Sequence, residues 1–334
     1  MGFSGGARVA VQSAIEFRDI KGVLGCGAGF PSPMPQTKDP GFVFAGISGK
    51  RDFNFPEFLF LQPQLDQFGI RHSLIRFDGI HEWPPAPIVA QGLRWLSLCD
   101  MQSGKIFADK ELVSSWLYTD AKALDEINPD HLYEKYIMLR FLTDAYQGIS
   151  DVSAWQSESS ALTASKAFQD EMGRLDAIIK AEGDLKNQFT ADFRDQKAEW
   201  WGPALDRLDN QIDREKDYLK KESLQRIKGF LSLMAYLYSD SALKQGNLVA
   251  AGSYLDIYKR VDPENPEHAF LRAVLHLRGG DLPAALNSLQ EAAALGFSDL
   301  NRLQQDPDLA ILHKETGWRE ILAQIEKNAE TALR

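Results

Sequence analysis

The chain has 334 residues, enough for two or three cores, and its 44% hydrophobic and 25% charged residues are the composition of a soluble globular protein. No apolar stretch reaches the roughly 18 residues of a membrane helix, so no spanning segment is expected. Lys and Arg total 37 against 47 Asp and Glu, and the resulting formal charge of -10 repels phosphate backbones and anionic lipid, which argues against nucleic acid as a partner. Cys26 and Cys99 form no Cys-x-x-Cys pair and no Cys/His cluster at zinc spacing, so neither a disulfide framework nor a structural metal is indicated.

The chain opens on MGFSGGARVA, in which Gly2-Phe3-Ser4-Gly5-Gly6 fits G-x-S-x-G, a turn that lifts a serine out of a strand-to-helix junction. Glycine is needed there because the serine backbone is strained and neighbouring backbone passes close by. An ordinary Gly/Ser turn is the plain alternative. Ala7 to Phe17 then has the apolar spacing of a helix, through Val9, Val11, Ala14 and Ile15. Lys21 to Cys26 and Phe42 to Ile47 are apolar runs ending in glycine-containing turns and read as buried parallel strands. Pro56 to Phe68 has helical spacing through Phe58, Leu61 and Leu65; Ser73 to Phe77 is a third strand and Ile88 to Leu98 a further amphipathic helix.

Asp52 falls just past the second strand and His81 just past the third, the loop positions where open α/β sheets gather their chemistry. The order Ser4, Asp52, His81 resembles that of α/β-hydrolases, and the segment is most similar to their dienelactone-hydrolase, esterase and prolyl-oligopeptidase-like members, over about residues 1 to 98. The resemblance implies a serine hydrolase acting on an acyl ester or peptide-like bond without metal or organic cofactor. Ser4 would be the nucleophile, His81 the base and then the acid, Asp52 the residue that holds the imidazole, and the Gly5 N–H one oxyanion donor.

Each residue has a plainer reading. Asp52 can be a turn or N-cap residue ahead of Pro56; Asp78 is a rival acid three residues before His81; His72 reads as an exposed strand-edge histidine. Glu82 and Trp83 are expected to shape the loop after His81, with Pro84, Pro85 and Pro87 stiffening it, and Cys26 to be a small buried residue. The family's strands ahead of the serine turn, and the loop giving the second oxyanion N–H, have no counterpart here. A truncated reading of a longer protein is the favoured explanation, and with it come an exposed edge and face of the sheet, weak activity and an undecided cellular location.

From about Lys110 helix formers dominate. Leu112 to Leu124, His131 to Tyr146 and Ser160 to Ala181 have helical periodicity, and Asn128-Pro129-Asp130 separates the first two. The charge-dense stretch from Ala191 to Lys228 reads as a solvated helix face with intrahelical ion pairs, in which Trp200 and Trp201 are packing anchors. GNLVAAGSYL from Gly246 and GDLPAALNSL from Gly280 recur at an offset of 34, as do Ala235/Ala269, Leu237/Leu271 and Leu243/Leu277. That is the tetratricopeptide period. Leu300 to Lys327 resembles a closing helical pair, with one helix starting at Asp306-Pro307 and the other at Gly317-Trp318.

The expected fold is therefore α/β plus all-α. A partial hydrolase-like parallel sheet spans 1–98, long helices span 99–226, and tetratricopeptide-like pairs span 227–334. Two functions stay open: a serine hydrolase for small acyl or peptide substrates, and a non-catalytic module in which the helical repeats hold a protein or peptide partner.

Overall fold

The computed structural model describes residues 1–32, 34 and 41–332. The chain divides into two compact units, Met1–Glu182 with Asp217–Arg226, and Gly183–Lys216 with Ile227–Arg334. The mixed α/β and helical class expected from the sequence is observed: a small parallel sheet and many helices.

In the first unit the order is β1 (Gly2–Phe3), α1 (Gly5–Glu16), β2 (Gly22–Cys26), β3 (Val43–Gly49), α2 (Phe55–Gln67), β4 (His72–Phe77) and α3 (Ala86–Gln102). The strands are parallel and lie in sequence order, with Phe3 opposite Cys26, Cys26 opposite Ile47 and Ile47 opposite Ile75. The sequence predicts three of these strands; β1, ahead of the serine turn, makes a fourth.

Side chains alternate across this sheet with period two. Leu24, Cys26, Ala45, Ile47, Ile75 and Phe77 belong to one core. Val23, Phe44 and Leu74 belong to another, where they meet Val11 and Ala14 of α1 and Leu61 and Leu65 of α2. The first core is closed by Trp95 and Leu98 of α3, by Val113 of α4 (Lys110–Asp125), and by Phe141, Leu142 and Tyr146 of α5 (Leu132–Tyr146). The expectation of an uncovered sheet face is corrected accordingly: the helices after residue 98 supply the missing apolar layer, as a sheet hydrophobic on both faces requires.

The helix predicted from Ser160 is two helices, α6 (Ser153–Ala164) and α7 (Lys166–Asp195), because Ser165 adopts an extended conformation and its hydroxyl accepts from the Phe168 N–H at 3.2 Å. The charge-dense stretch is broken as well, into the end of α7, α8 (Ala198–Arg214) and the start of α9 (Tyr218–Lys244). Contrary to the expectation of a wholly solvated face, Arg226 and Glu182 are each 1% exposed and paired at 2.7 Å, and Arg226 Nη1 donates to the Lys50 carbonyl at 2.8 Å. The partner lies 44 residues away in sequence, so an intrahelical spacing rule cannot find it.

In the second unit Trp201 is buried, with its ring centroid 4.4 Å from that of Phe193, as a packing anchor should be. The end of α9 leads into α10 (Leu248–Val261), and α11 (Pro266–Arg278) into α12 (Leu282–Ala294), through two matching turns. Gly246 and Gly280 have φ of 73° and 80°, the left-handed conformation that closes a helix. The residue after each glycine donates back to the helix it leaves, Asn247 to the Ala242 carbonyl and Asp281 to the His276 carbonyl, both at 2.9 Å. The same residues then cap the next helix, accepting from the Ala250 and Ala284 N–H groups. Ala251 and Ala285, and Leu255 and Leu289, are fully buried at equivalent positions.

The expected closing pair is instead α13 (Leu300–Gln305), a 3-10 segment (Pro307–Lys314) and α14 (Trp318–Ala332). Asp306 does start a new element, its carboxylate accepting from the Asp308 N–H at 3.0 Å, but that element is a 3-10 helix. No helix among the described residues is long and apolar enough to cross a membrane.

Candidate active site

Three loops at the carboxyl ends of β1, β3 and β4 bring Ser4, Asp52 and His81 together. Ser4 occupies the turn between β1 and α1 with φ 51° and ψ -121°, and among the described residues it alone has a positive φ without being glycine. Such a conformation costs on the order of 1–3 kcal/mol and persists only where its surroundings impose it. Here the Ser4 N–H is tied to the Cys26 carbonyl at 2.8 Å and its carbonyl accepts from the Ala7 N–H. Gly2 permits the turn: a Cβ there would lie 2.2 Å from the Gly6 carbonyl oxygen.

Asp52 is 1% exposed in the turn after β3. Its N–H donates to the Gly49 carbonyl at 3.2 Å and its Oδ1 accepts from the Asn54 N–H at 2.8 Å. So the turn role read from the sequence is real, but it leaves the carboxylate facing His81, whose Nδ1 lies 2.9 Å from Oδ1 and 3.0 Å from Oδ2. His81 Nε2 is 3.0 Å from the Ser4 hydroxyl oxygen. An ionised carboxylate only accepts, so Nδ1 carries the proton and Nε2 offers its lone pair to the Ser4 O–H.

The imidazole is further held by two aromatic rings, with centroids 4.8 Å away for Phe3 and 4.3 Å for Phe53. Trp83, half exposed, lies 5.3 Å from Phe3. Gly27, at φ 66°, leaves room for this stack; a Cβ there would stand 2.7 Å from Phe3 and 3.1 Å from His81. Asn54 braces the same region by donating from Nδ2 to the Gly27 carbonyl at 2.8 Å. Sequence reasoning missed Phe3, Phe53, Asn54 and Gly27 as site residues. Adjacency was the available signal, since Phe3 and Phe53 each flank a predicted site residue.

Asp78, the rival acid, is largely exposed and pairs with Arg51 at 2.9 Å. His72 is corrected from an exposed residue to one whose side chain is covered: the side chain is 5% exposed and its Nδ1 lies 2.8 Å from the Ile70 carbonyl. Cys26 is buried, and that burial pushes its thiol up to about 11, which makes it a poor nucleophile. Glu82 shapes its loop by accepting from the Ile80 N–H at 3.2 Å. Gly5, beside Ser4, is the first residue of α1, so its N–H has no acceptor one turn back. Among the described residues no group of three or more His, Cys, Asp or Glu side chains could hold a metal ion.

Chemically, a hydroxyl bonded to a neutral imidazole whose other nitrogen is fixed by a buried carboxylate can lose its proton as it attacks a carbonyl carbon. No family model, no curated protein and no solved structure matches this chain.

Proposed function

We propose that the chain is a serine hydrolase of the α/β-hydrolase type, cleaving a small ester or peptide-like acyl bond through an acyl-serine intermediate. The supporting observation is the hydrogen-bonded chain from Ser4 to His81 to Asp52, with the serine on a strained strand-to-helix turn. In the acylation step the Ser4 oxygen bonds to the substrate carbonyl carbon as its proton passes to His81 Nε2. The tetrahedral oxyanion takes a hydrogen bond from the Gly5 N–H; the carbon–leaving-group bond then breaks as His81 returns the proton to the leaving group. Water, deprotonated by His81, attacks the acyl carbon and releases Ser4 and a carboxylic acid. Asp52 keeps the imidazole in the useful tautomer throughout and stabilises the imidazolium. No step calls for a metal or organic cofactor.

The test is labelling of the folded chain with a fluorophosphonate probe, alongside p-nitrophenyl acetate hydrolysis. Ser4-dependent labelling that disappears in Ser4→Ala is expected. Labelling no greater than that of heat-denatured protein, or equal labelling of Ser4→Ala, would remove Ser4 as the nucleophile.

A second reading concerns the C-terminal helices. The matched glycine φ values and matched N-caps at an offset of 34 support tetratricopeptide-type repeats, whose stacked pairs ordinarily present a surface to a peptide or protein partner. Superposition of residues 230–261 on 264–295 in an experimental structure tests that reading; helix pairs that fail to overlay would end it.

A further inference from the structure

Within the first unit a cavity of about 180 Å³ opens beside the carboxyl-terminal end of β4, walled by α3 and α5 and by the end of α4. Most of its wall is apolar, including Ile88, Ile127 and Met138, but Lys50 and Arg76 stand at one side. Lys50 follows β3 directly and is paired with Glu134 at 2.6 Å. Arg76 lies over the rings of Tyr133 and Phe55, with centroid distances of 4.3 and 5.1 Å. The Tyr133 hydroxyl is close enough to bond to it and the buried Glu222 carboxyl is a second neighbour, yet neither terminal guanidinium nitrogen, both buried, has a well-aligned acceptor among the described residues. Unpaired donors of this kind are costly, most of all on a permanently charged group.

We propose that this cavity is a binding site for a small organic monocarboxylate, with the carboxylate taken by the Arg76 guanidinium and the apolar body lodged among Ile88, Ile127 and Met138. The planar fork of an arginine matches a carboxylate with two parallel hydrogen bonds. Gln91 also lines the cavity, and its amide has only the weak Met138 sulfur acceptor, at 4.0 Å, so it can turn toward the same ligand. Glu134 already neutralises Lys50, and Glu222, whose carboxyl burial pushes up to about 7, only partly offsets Arg76, which favours a monoanion over a doubly charged phosphate. Size agrees: a protein cavity of about 150 Å³ holds benzene. The site is separate from Ser4, but it leans on both loops of the candidate active site, since Lys50 precedes Asp52 by two residues and Arg76 precedes His81 by five.

The test is calorimetric titration of the full chain with sodium benzoate and sodium hexanoate, with benzyl alcohol as the neutral control and sodium sulfate as the inorganic one. Saturable binding of one carboxylate per chain is expected, weaker by on the order of tenfold to a hundredfold in Arg76→Gln. Ile127→Phe, which fills the apolar end and leaves the charges alone, should abolish it and stays decisive if Arg76→Gln does not fold. Ser4→Ala should bind as the unaltered chain does. The proposal is overturned by no binding of either carboxylate, by benzyl alcohol or sulfate binding as well, by undiminished affinity in folded Arg76→Gln or Ile127→Phe, or by loss of binding in Ser4→Ala.

Discussion

His81 Nε2 stands 3.0 Å from the hydroxyl of Ser4, a residue 77 positions earlier in the chain, while its Nδ1 is held by a carboxylate that is 1% exposed. The two contacts are coupled through the tautomer of one ring, so the carboxylate can be tested without touching the serine. Asp52→Asn keeps the shape but presents an amide, which can donate to Nδ1 and so leave the proton on Nε2, where it no longer accepts from Ser4. Fluorophosphonate labelling and ester turnover are expected to fall by about 10⁴-fold, the loss found for the same change in a serine protease triad. A loss smaller than tenfold would mean that Asp52 serves the turn alone.

The two outer glycines of the serine turn separate by experiment. A Cβ at Gly2 would meet the Gly6 carbonyl at 2.2 Å and carbon at 2.3 Å, backbone atoms that cannot move without opening the turn, whereas a Cβ at Gly6 meets nothing within 4 Å. Gly2→Ala is therefore expected to lower Ser4 labelling at least tenfold, through Å-scale displacement of the nucleophile, and Gly6→Ala to leave it within twofold. Equal effects of the two changes would show that the motif acts here through something other than this close approach.

Much of this architecture was legible in the sequence, for identifiable reasons. Apolar runs bounded by glycine located β2, β3 and β4 to within two residues; Ser4 stood out because Gly2 to Gly6 fits G-x-S-x-G, and Asp52 and His81 because each follows a predicted strand. What escaped were properties of partners distant in sequence. Periodicity shows that a helix has an apolar face but not what covers it, so Val113 and Leu142 could not be assigned to the sheet core. Arg226 sat in a run of charges that reads as solvated, and its burial depends on Glu182 and on the Lys50 carbonyl. Ser165 looked like an ordinary helix residue; its capping bond to Phe168 divides the helix.

Glu222 gives a pH-dependent prediction. Burial pushes its carboxyl up to about 7, while the neighbouring Arg76 charge opposes the shift. The folded protein therefore retains a proton on this group that the unfolded chain, with a carboxyl near the ordinary 4.5, has already released. Because the folded state binds the extra proton, stability contributed here is fully present below about 4.5 and is lost as pH rises through about 7. Glu222→Gln removes that loss. Urea unfolding should show the variant more stable than the parent at pH 8, by roughly 1–3 kcal/mol, with the gap closing toward pH 4. A gap that is constant with pH would mean the carboxyl does not titrate in this window.

The buried pair of Arg226 and Glu182 makes the sharpest stability prediction. Both side chains are 1% exposed, at 2.7 Å, and the Phe55 ring lies 4.6 Å from the Arg226 guanidinium carbon. The attraction between them offsets a large desolvation cost, so the intact pair contributes little compared with what removing one partner would cost. Arg226→Met would take the paired cation from the buried Glu182 carboxylate and would also strip a donor from the Lys50 carbonyl. It should destabilise the protein by about 3–5 kcal/mol. Replacing both, as Arg226→Met with Glu182→Leu, should recover most of that loss, because no buried carboxylate is then left without its cation. Urea denaturation of the parent, the two single variants and the double variant closes the cycle. If the double variant is as unstable as the sum of the singles, the two charges are not coupled, and the pairing is incidental to the fold.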